Sequence, residues 1–313
     1  MDLHARVFVA GAGNPETPAT MVGRALLRRL KTLGFTQFVG ADDNEPDLLD
    51  RRAVDRFFAH TRPEYVFVAA GKTAGIVGNQ RSPADLMVDN LLIAGHVIPA
   101  AWQHHVKKLL YLSSSCTYPR IAPHPLAVSS LWTGPLEATS AAYAVAKLAG
   151  LALCDASRRQ FGTSFIGAIG ADAYGHGDDF DPENAHVVGA LIRRLHEAKV
   201  AGSGSVEVWG SGTPRREFIY VDDLADACIF AMRHYDGADP INLGTGMSTS
   251  IAELAETVRH VVGYKGELKF DRTRPDGMPF KGLDSGPLRA LGWQPRVDLR
   301  EGLSLTYQSF LAQ

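Results

Sequence analysis

Cysteine is scarce. The 313 residues hold only Cys116, Cys154 and Cys228, too few and too scattered for a disulfide framework or a zinc site, so a reducing cytoplasm is the expected setting. A surplus of either charge is missing too. Lys plus Arg come to 32 and Asp plus Glu to 34, a net charge of −2. Nothing is left over to neutralise a nucleic-acid backbone or an anionic membrane, and neither is expected as a partner. No apolar run approaches the ~18 residues of a membrane helix. The opening MDLHARVFVAGAG lacks the charged start, apolar stretch and cleavage site of a leader, and reads as a first strand and its turn. Internal repeats, low-complexity tracts and long linkers are absent. With 45% hydrophobic residues, the chain can bury the core of one large or two modest domains.

What is there alternates. Strands are expected at Arg6–Ala10, Phe38–Ala41, Tyr65–Ala70, Lys108–Leu112 and Ser164–Ile169. Helical spacing falls between them at Met21–Leu33, at Arg51–His60 behind Asp50 as N-cap, at Pro83–His104 and at Ala141–Phe161. YVFVAA at 65–70 is apolar throughout, as a strand covered on both faces requires. This rhythm implies βαβ units and an α/β fold with a doubly wound, Rossmann-type parallel sheet. Beyond about residue 170 the pattern loosens. Helices are expected at His186–Lys199, Val221–His234, Ile251–Val262 and Leu299–Leu311, with Ser250 and Glu253 forming a capping box. They suit a smaller C-terminal lobe over the sheet.

Gly11-Ala12-Gly13 follows the first strand, where glycines permit a tight turn and let backbone N–H groups approach a pyrophosphate. The next glycine is Gly23. If Asn14–Ala19 loops out, the remainder reads GAG-T-MVG, with Thr20 where a middle glycine would sit. A plain strand-turn-helix fits nearly as well. Asp42-Asp43-Asn44 ends the second strand, where a carboxylate suits a ribose diol and favours NAD; turn formation is the bland alternative. Tyr143 and Lys147, four apart, project from one helix face, so the ammonium can lower the phenol pKa and the phenol can exchange a proton at a carbonyl oxygen. Ser114 stands at a parallel strand's carboxyl end, one βα unit upstream, and strengthens this catalytic reading over that of a solvated helix face. Taken singly, Cys116 reads as a small buried hydrophobe and His186 as a cap or core histidine.

Several ordered blocks carry a resemblance over nearly the whole chain: AAGKTAGIVGN (69–79), SSCTYP (114–119), YAVAKLAG (143–150), NAHVVGALIRRLHEA (184–198), VWGSGTPRREFIYVDD (208–223), INLGTG (241–246) and RPDGMPFK (274–281). The sequence resembles the GDP-L-fucose synthases, GDP-4-keto-6-deoxy-D-mannose 3,5-epimerase/4-reductases among the extended short-chain dehydrogenase/reductases. The resemblance implies a reductase triad of Ser114, Tyr143 and Lys147, an epimerisation base at Cys116 and its acid at His186. It implies cofactor contacts at Gly11, Gly13, Met21, Val22, Gly23, Asp42, Leu112, Ser113, Gly170 and Asp172, with Lys147 and His186 shared. GDP-sugar contacts are implied at Lys72, Arg194, Val208, Trp209, Arg216, Lys281 and Asp284, and Asn90 as a water-positioning helix residue near Lys147.

A dinucleotide-binding part at 1–169 with a return segment at about 217–246, a substrate-binding lobe at 170–216 and 247–313, and a homodimer through the Pro83 and Tyr143 helices follow from the same resemblance. So does NADP(H), with NAD(H) left open because the arginines for a 2′-phosphate have no clear counterpart. Other departures are the lengthened glycine loop, Asp172 where the family has Asn, and Phe280 where it has Arg. They fall on cofactor and substrate contacts and spare the proton-transfer residues. An isomerase that cannot reduce, a 4-reductase that cannot epimerise and a non-catalytic nucleotide-sugar sensor are the competing readings. A 4,6-dehydratase is disfavoured, since Ser114-Ser115-Cys116 stands where that branch carries Thr-Asp/Glu-Glu.

Overall fold

The computed structural model describes residues 1–14, 19–41, 44–182 and 184–313. Its first half runs β1 (Val7–Ala10), α1 (Met21–Thr32), β2 (Phe38–Val39), α2 (Arg51–Thr61), β3 (Tyr65–Val68), α3 (Ile76–Arg81), α4 (Pro83–Gln103), β4 (Lys108–Ser114), α5 (Ala141–Phe161) and β5 (Phe165–Gly170). The helix starts follow from local chemistry. The Thr20 hydroxyl accepts from Gly23 N at 3.0 Å, and the Asp50 carboxylate accepts from Arg52 N at 2.8 Å. Helix α5 stops at Gly162, whose φ of +67° suits a residue without Cβ.

The second half runs β6 (Asp172–Tyr174), α6 (Val187–Ala201), β7 (Ser205–Trp209), β8 (Arg215–Arg216), β9 (Phe218–Tyr220), α7 (Val221–His234), β10 (Ile241–Leu243), β11 (Thr249–Ser250), α8 (Ile251–Val262), β12 (Glu267–Asp271), β13 (Phe280–Lys281), α9 (Gly286–Ala290) and α10 (Leu299–Leu311). The expected capping box is present on α8. Short β6 to β9 and β11 to β13, with no clear period of their own, escape a periodicity reading. They pair into small sheets beside the main one.

The main sheet has the order β10-β5-β4-β3-β1-β2, parallel throughout. The chain steps outward from β1 to β2, then crosses back to β3. The carboxyl ends of β1 and β3 therefore part at a topological switch point, where α/β sheets take ligands. One hydrophobic cluster packs the main sheet and its helices. A second lies among α6, α8, α10, β7 and β9, while Met278, Leu283, Leu288 and Trp293 of the late chain join the first.

Two details correct the expectations. Strand β2 is only two residues long, and β4 runs on to Ser114. Helix α4, at 21 residues, is long and apolar enough to cross a membrane, although Asp85, Asp89 and Asn90 interrupt its apolar run. Here it packs against α5, burying Ile93, Val97 and Ile98.

Close approaches at glycine set the layer spacing. A Cβ on Gly150 of α5 would lie 2.2 Å from the Tyr111 ring, and one on Gly23 of α1 would lie 2.1 Å from the Gly11 carbonyl oxygen. The latter neighbour is backbone and cannot rotate away. Gly23→Ala is expected to cost about 1–3 kcal/mol, read as a lower Tm by calorimetry; an unchanged Tm would refute the contact. A second prediction concerns Asp178, which is buried, with Oδ2 unpartnered among the described residues. Burial pushes its carboxyl from the ordinary 3.8 up to about 7. The folded state holds this proton more tightly than the unfolded chain. The stability it contributes is thus complete below about pH 4 and lost as pH climbs through about 7. Asp178→Asn should raise Tm near pH 8, and its gain over wild type should shrink toward pH 5.

Candidate active site

A cleft of about 440 Å³ opens over the carboxyl ends of the main sheet, with α6, β7 and the 275–281 loop as its far wall. Its first end is the start of α1, behind which lies the glycine turn. Gly11 and Gly13 have φ of +105° and +92°, which L side chains rarely adopt. Thr20 N donates to Gly11 O at 2.9 Å, and its hydroxyl donates to Ala69 O at 3.2 Å. Thr20 thus does take the middle-glycine position, tying the start of α1 to the end of β3. Met21 and Val22 line the floor and Gly23 lies behind them. The turn's amides are already engaged: Glu45 accepts from Gly11 N through Oε1 at 2.6 Å and from Gly13 N through Oε2 at 2.5 Å, yet burial outweighs these bonds and pushes its carboxyl up to about 7. Asp42 lies outside the described residues.

The centre of the cleft comes from β4 and α5. Leu112, Ser113 and Ser114 leave the sheet edge, and Tyr143 and Lys147 face them, with Gly170 beside the group. Lys147 is buried, its ammonium 4.9 Å from the Tyr111 ring centre, and burial draws its pKa down to about 8. Burial raises the pKa of Tyr143, with hydrogen bonds to Ser114 and Thr73 pulling the other way. The phenol is therefore held protonated, ready to donate. Asn90 is buried with its amide donating to Lys72 O at 2.8 Å and Leu86 O at 2.7 Å. Its Oδ1 is directed at Gly71, as is the ammonium of Lys147.

Beyond Ser114 the chain makes one short 3₁₀ turn, in which Cys116 N donates to Ser114 Oγ at 3.3 Å. Lys281 Nζ reaches Cys116 Sγ at 3.6 Å and Asp172 Oδ1 at 2.7 Å, and Ser115 Oγ also donates to that carboxylate at 3.2 Å. Burial works against the Lys281 charge, but Asp172 and Cys116 outweigh it and its pKa rises. The same balance holds Asp172 below the ordinary carboxylate range, Lys281 overcoming the burial penalty. Buried Glu217 anchors this arrangement by accepting from Leu283 N at 2.6 Å and Gly246 N at 2.7 Å. His186 is the N-cap residue of α6, not its first turn, with Nε2 3.2 Å from Thr73 Oγ1. Its ring opens onto the cleft, and desolvation there lowers its pKa against the pull of Asp172.

At the far end Trp209 lies between two guanidinium groups, those of Arg194 and Arg274, each 4.8 Å from its ring centre. Val208 and Arg216 line the same wall. Lys72 and Asp284, like Gly11, Gly13 and Gly23, do not line the cleft. Lys72 is paired with Asp89 and mostly exposed, and Asp284 caps the turn at Gly286, at 3.0 Å from its N–H. Asp276 lines the cleft instead, accepting from Ser211 N at 2.7 Å and, through its carbonyl, from Arg216. It stands within the RPDG block, which carried the signal. Thr73 and Arg274 also sit in quoted blocks, whereas no local pattern pointed to Glu45. Phe280 stacks on His124, ring centres 3.9 Å apart.

The sequence profile of the NAD dependent epimerase/dehydratase family matches residues 19–244. A putative GDP-L-fucose synthase 2 of Arabidopsis thaliana is 48% identical over 311 residues, 99% of this chain and 93% of the relative. The GDP-L-fucose synthase of Escherichia coli K12 is 45% identical over 315 residues, covering 98% and 96%. This chain belongs to the NAD dependent epimerase/dehydratase family, on its GDP-L-fucose synthase branch. A solved GDP-mannoheptose C4 reductase of Campylobacter jejuni, with NADP bound, superposes with a TM-score of 0.87 at 33% identity, covering 99% of each chain.

The residues present fit a nicotinamide dinucleotide. The start of α1 opens onto the cleft at Thr20, Met21 and Val22, Gly23 lets it approach the end of β1, and Tyr143 and Lys147 open onto the same cleft. For this epimerase-family chain the ammonium beside Cys116 has a chemical consequence, because at 3.6 Å it is placed to stabilise negative charge on the sulfur as it reacts. Lys281→Met should slow alkylation of Cys116 by iodoacetamide near neutral pH, followed by mass spectrometry. Cys154 and Cys228, buried and with thiols raised by burial, serve as unreactive internal references. An unchanged Cys116 rate would refute the role of Lys281.

Proposed function

We propose that this chain epimerises GDP-4-keto-6-deoxy-D-mannose at C3 and C5 and reduces it at C4 with NADPH, giving GDP-L-fucose. The observation that carries this reading is the convergence on one cleft of Ser114, Tyr143, Cys116 and His186, with Lys281 at 3.6 Å from the thiol. A C4 ketone acidifies the hydrogens at C3 and C5. Cys116, as thiolate, removes each, and His186 returns a proton on the opposite face. Ser114 and Tyr143 hydrogen-bond the C4 oxygen and spread the enolate charge during exchange. A bound nicotinamide supplies the hydride for C4. Tyr143 then gives its proton to the C4 oxygen, and Lys147 stabilises the phenolate left behind.

Arg194, Arg216, Val208 and Trp209, with Arg274 and Asp276, form the wall for the guanosine diphosphate. Guanidinium groups suit a diphosphate through paired hydrogen bonds. The remaining parts of the proposal are a homodimer and a cytoplasmic setting. The dimer pairs α4 and α5 with their counterparts, and Val88, Leu92 and Val145 on these helices are exposed apolar residues it would cover. The setting is supported by three unpaired cysteines.

Turnover of GDP-4-keto-6-deoxymannose in deuterated water, with products identified by NMR, tests the reading. GDP-L-fucose labelled at C3 and C5, formed faster with NADPH than with NADH, is expected. Reduction without label would leave a reductase alone, and label without reduction an isomerase. Tyr143→Phe should lower the reduction rate by about 10²–10⁴-fold while exchange at C3 and C5 continues at a reduced rate, with Ser114 alone bonding the C4 oxygen. Cys116→Ser should abolish exchange.

A further inference from the structure

Thr73 carries no step of the proposed chemistry, yet its hydroxyl meets both of the proton donors. Its oxygen is 3.2 Å from His186 Nε2, and the same hydroxyl hydrogen-bonds to the Tyr143 phenol. All three residues line the cleft. The backbone around Thr73 is fastened at each neighbour. Asn90 donates to the Lys72 carbonyl at 2.8 Å, and Asn79 to the Ala74 carbonyl at 2.6 Å. Gly75 N donates to Asn184 O at 3.0 Å, which ties this loop to the segment that carries His186. Exposure rises in one direction along the group. Tyr143 is 9% exposed, whereas Thr73 and His186 are open to water. Lys147 and Asn90 offer the phenol no such outlet. Both are buried, and the Asn90 amide is committed to the carbonyls of Lys72 and Leu86.

We propose that the Thr73 hydroxyl relays a proton between His186 and Tyr143, so that the acid of epimerisation also recharges the acid of reduction. The inference rests on the reading of this site as an epimerase and reductase. In reduction, hydride reaches C4 and Tyr143 gives its proton to the C4 oxygen. Thr73 then gives its own proton to the phenolate while taking one from His186 Nε2. The ketone ends as an alcohol, the hydride donor is oxidised, imidazolium becomes imidazole, and Thr73 ends as it began. Water at the exposed ring returns the proton to His186. A hydroxyl suits this task because it donates and accepts through one atom. The proton affinities run the right way. Desolvation by the cleft walls lowers the His186 pKa, Lys281 adding to it and Asp172 and Asp179 opposing, while burial raises that of Tyr143. A proton therefore passes downhill from imidazolium to phenolate.

Oxidation of GDP-L-fucose by NADP⁺ isolates the relay, because it runs the reduction backwards and needs no epimerisation. Initial rates are read through a dye that consumes the NADPH formed. The proteins compared are wild type, Thr73→Val, Thr73→Ser, His186→Asn and the double variant of Thr73→Val with His186→Asn. Valine keeps the shape of threonine and removes only the hydroxyl. A loss of about 10²-fold is expected in Thr73→Val, the low end for positioned proton transfer, with most of the rate restored in Thr73→Ser. The double variant should be no slower than the slower single variant, since both substitutions break one path. Nitrogen NMR of the nucleotide-free protein is the second readout. The His186 Nε2 resonance should move in Thr73→Val and return toward its wild-type position in Thr73→Ser. Unchanged affinity for GDP shows that each variant is folded. A full rate in Thr73→Val, additive losses in the double variant, no rescue by serine or an unmoved resonance would overturn the relay. No oxidation by wild type would instead overturn the proposed function, and the relay with it.

Discussion

The carbonyl of Gly11 and the α-carbon of Gly23 touch with no room for a side chain between them, and the cleft depends on that contact. It draws the first turn of α1 over the end of β1, so that the helix start opens onto the gap where β1 and β3 diverge. Thr20, in place of a further glycine, adds a hydroxyl that spans to Ala69 and pins the two strand ends together. The floor at Met21 and Val22 and the amide pair that grips Glu45 both inherit their positions from this approach. A parallel sheet with helices on both faces supplies the rigidity, because its strands are buried on both sides and none can shift without repacking a layer.

The opposite half of the cleft is organised by charge. Lys281, Asp172 and Cys116 come from β13, β6 and the turn after β4, and each alters the cost of the others. An isolated ammonium there would lose much of its hydration, and Asp172 offsets that loss at 2.7 Å. Asp172 thereby closes an ion pair with Lys281 beside the thiol. Tyr143 answers to burial instead. Its pKa is raised, which suits a group that must hold a proton until a C4 alkoxide forms. Reduction and epimerisation thus draw on different physics within one volume: desolvation keeps the phenol protonated, and a fixed cation stands 3.6 Å from the sulfur.

Much of this was legible in the sequence. Helices α5, α7, α8 and α10 begin and end where their apolar spacing and caps say, and the Thr20 position follows from looping out the residues before it. Tyr143 and Lys147 share a face by spacing alone. Other points were not. Lys72 and Asp284 sit in matching blocks yet turn away, one to Asp89 and the other to the Gly286 turn. For His186 the cap reading holds, but that its ring reaches Thr73 was not to be read from the sequence.

The sequence by itself determined the βαβ order, the helix caps, the glycine turn and the shared face of Tyr143 and Lys147. Those signals are local: a period, a cap residue, or a spacing of four along one helix. Only the tertiary structure decided which distant groups meet. Glu45 lies some thirty residues from the amides it holds, Lys281 is 165 residues from Cys116, and Trp209 lies between guanidinium groups of two separate segments. Such pairings depend on where loops come to rest after the sheet has formed, and on how burial and charge offset each other there. No periodicity encodes either.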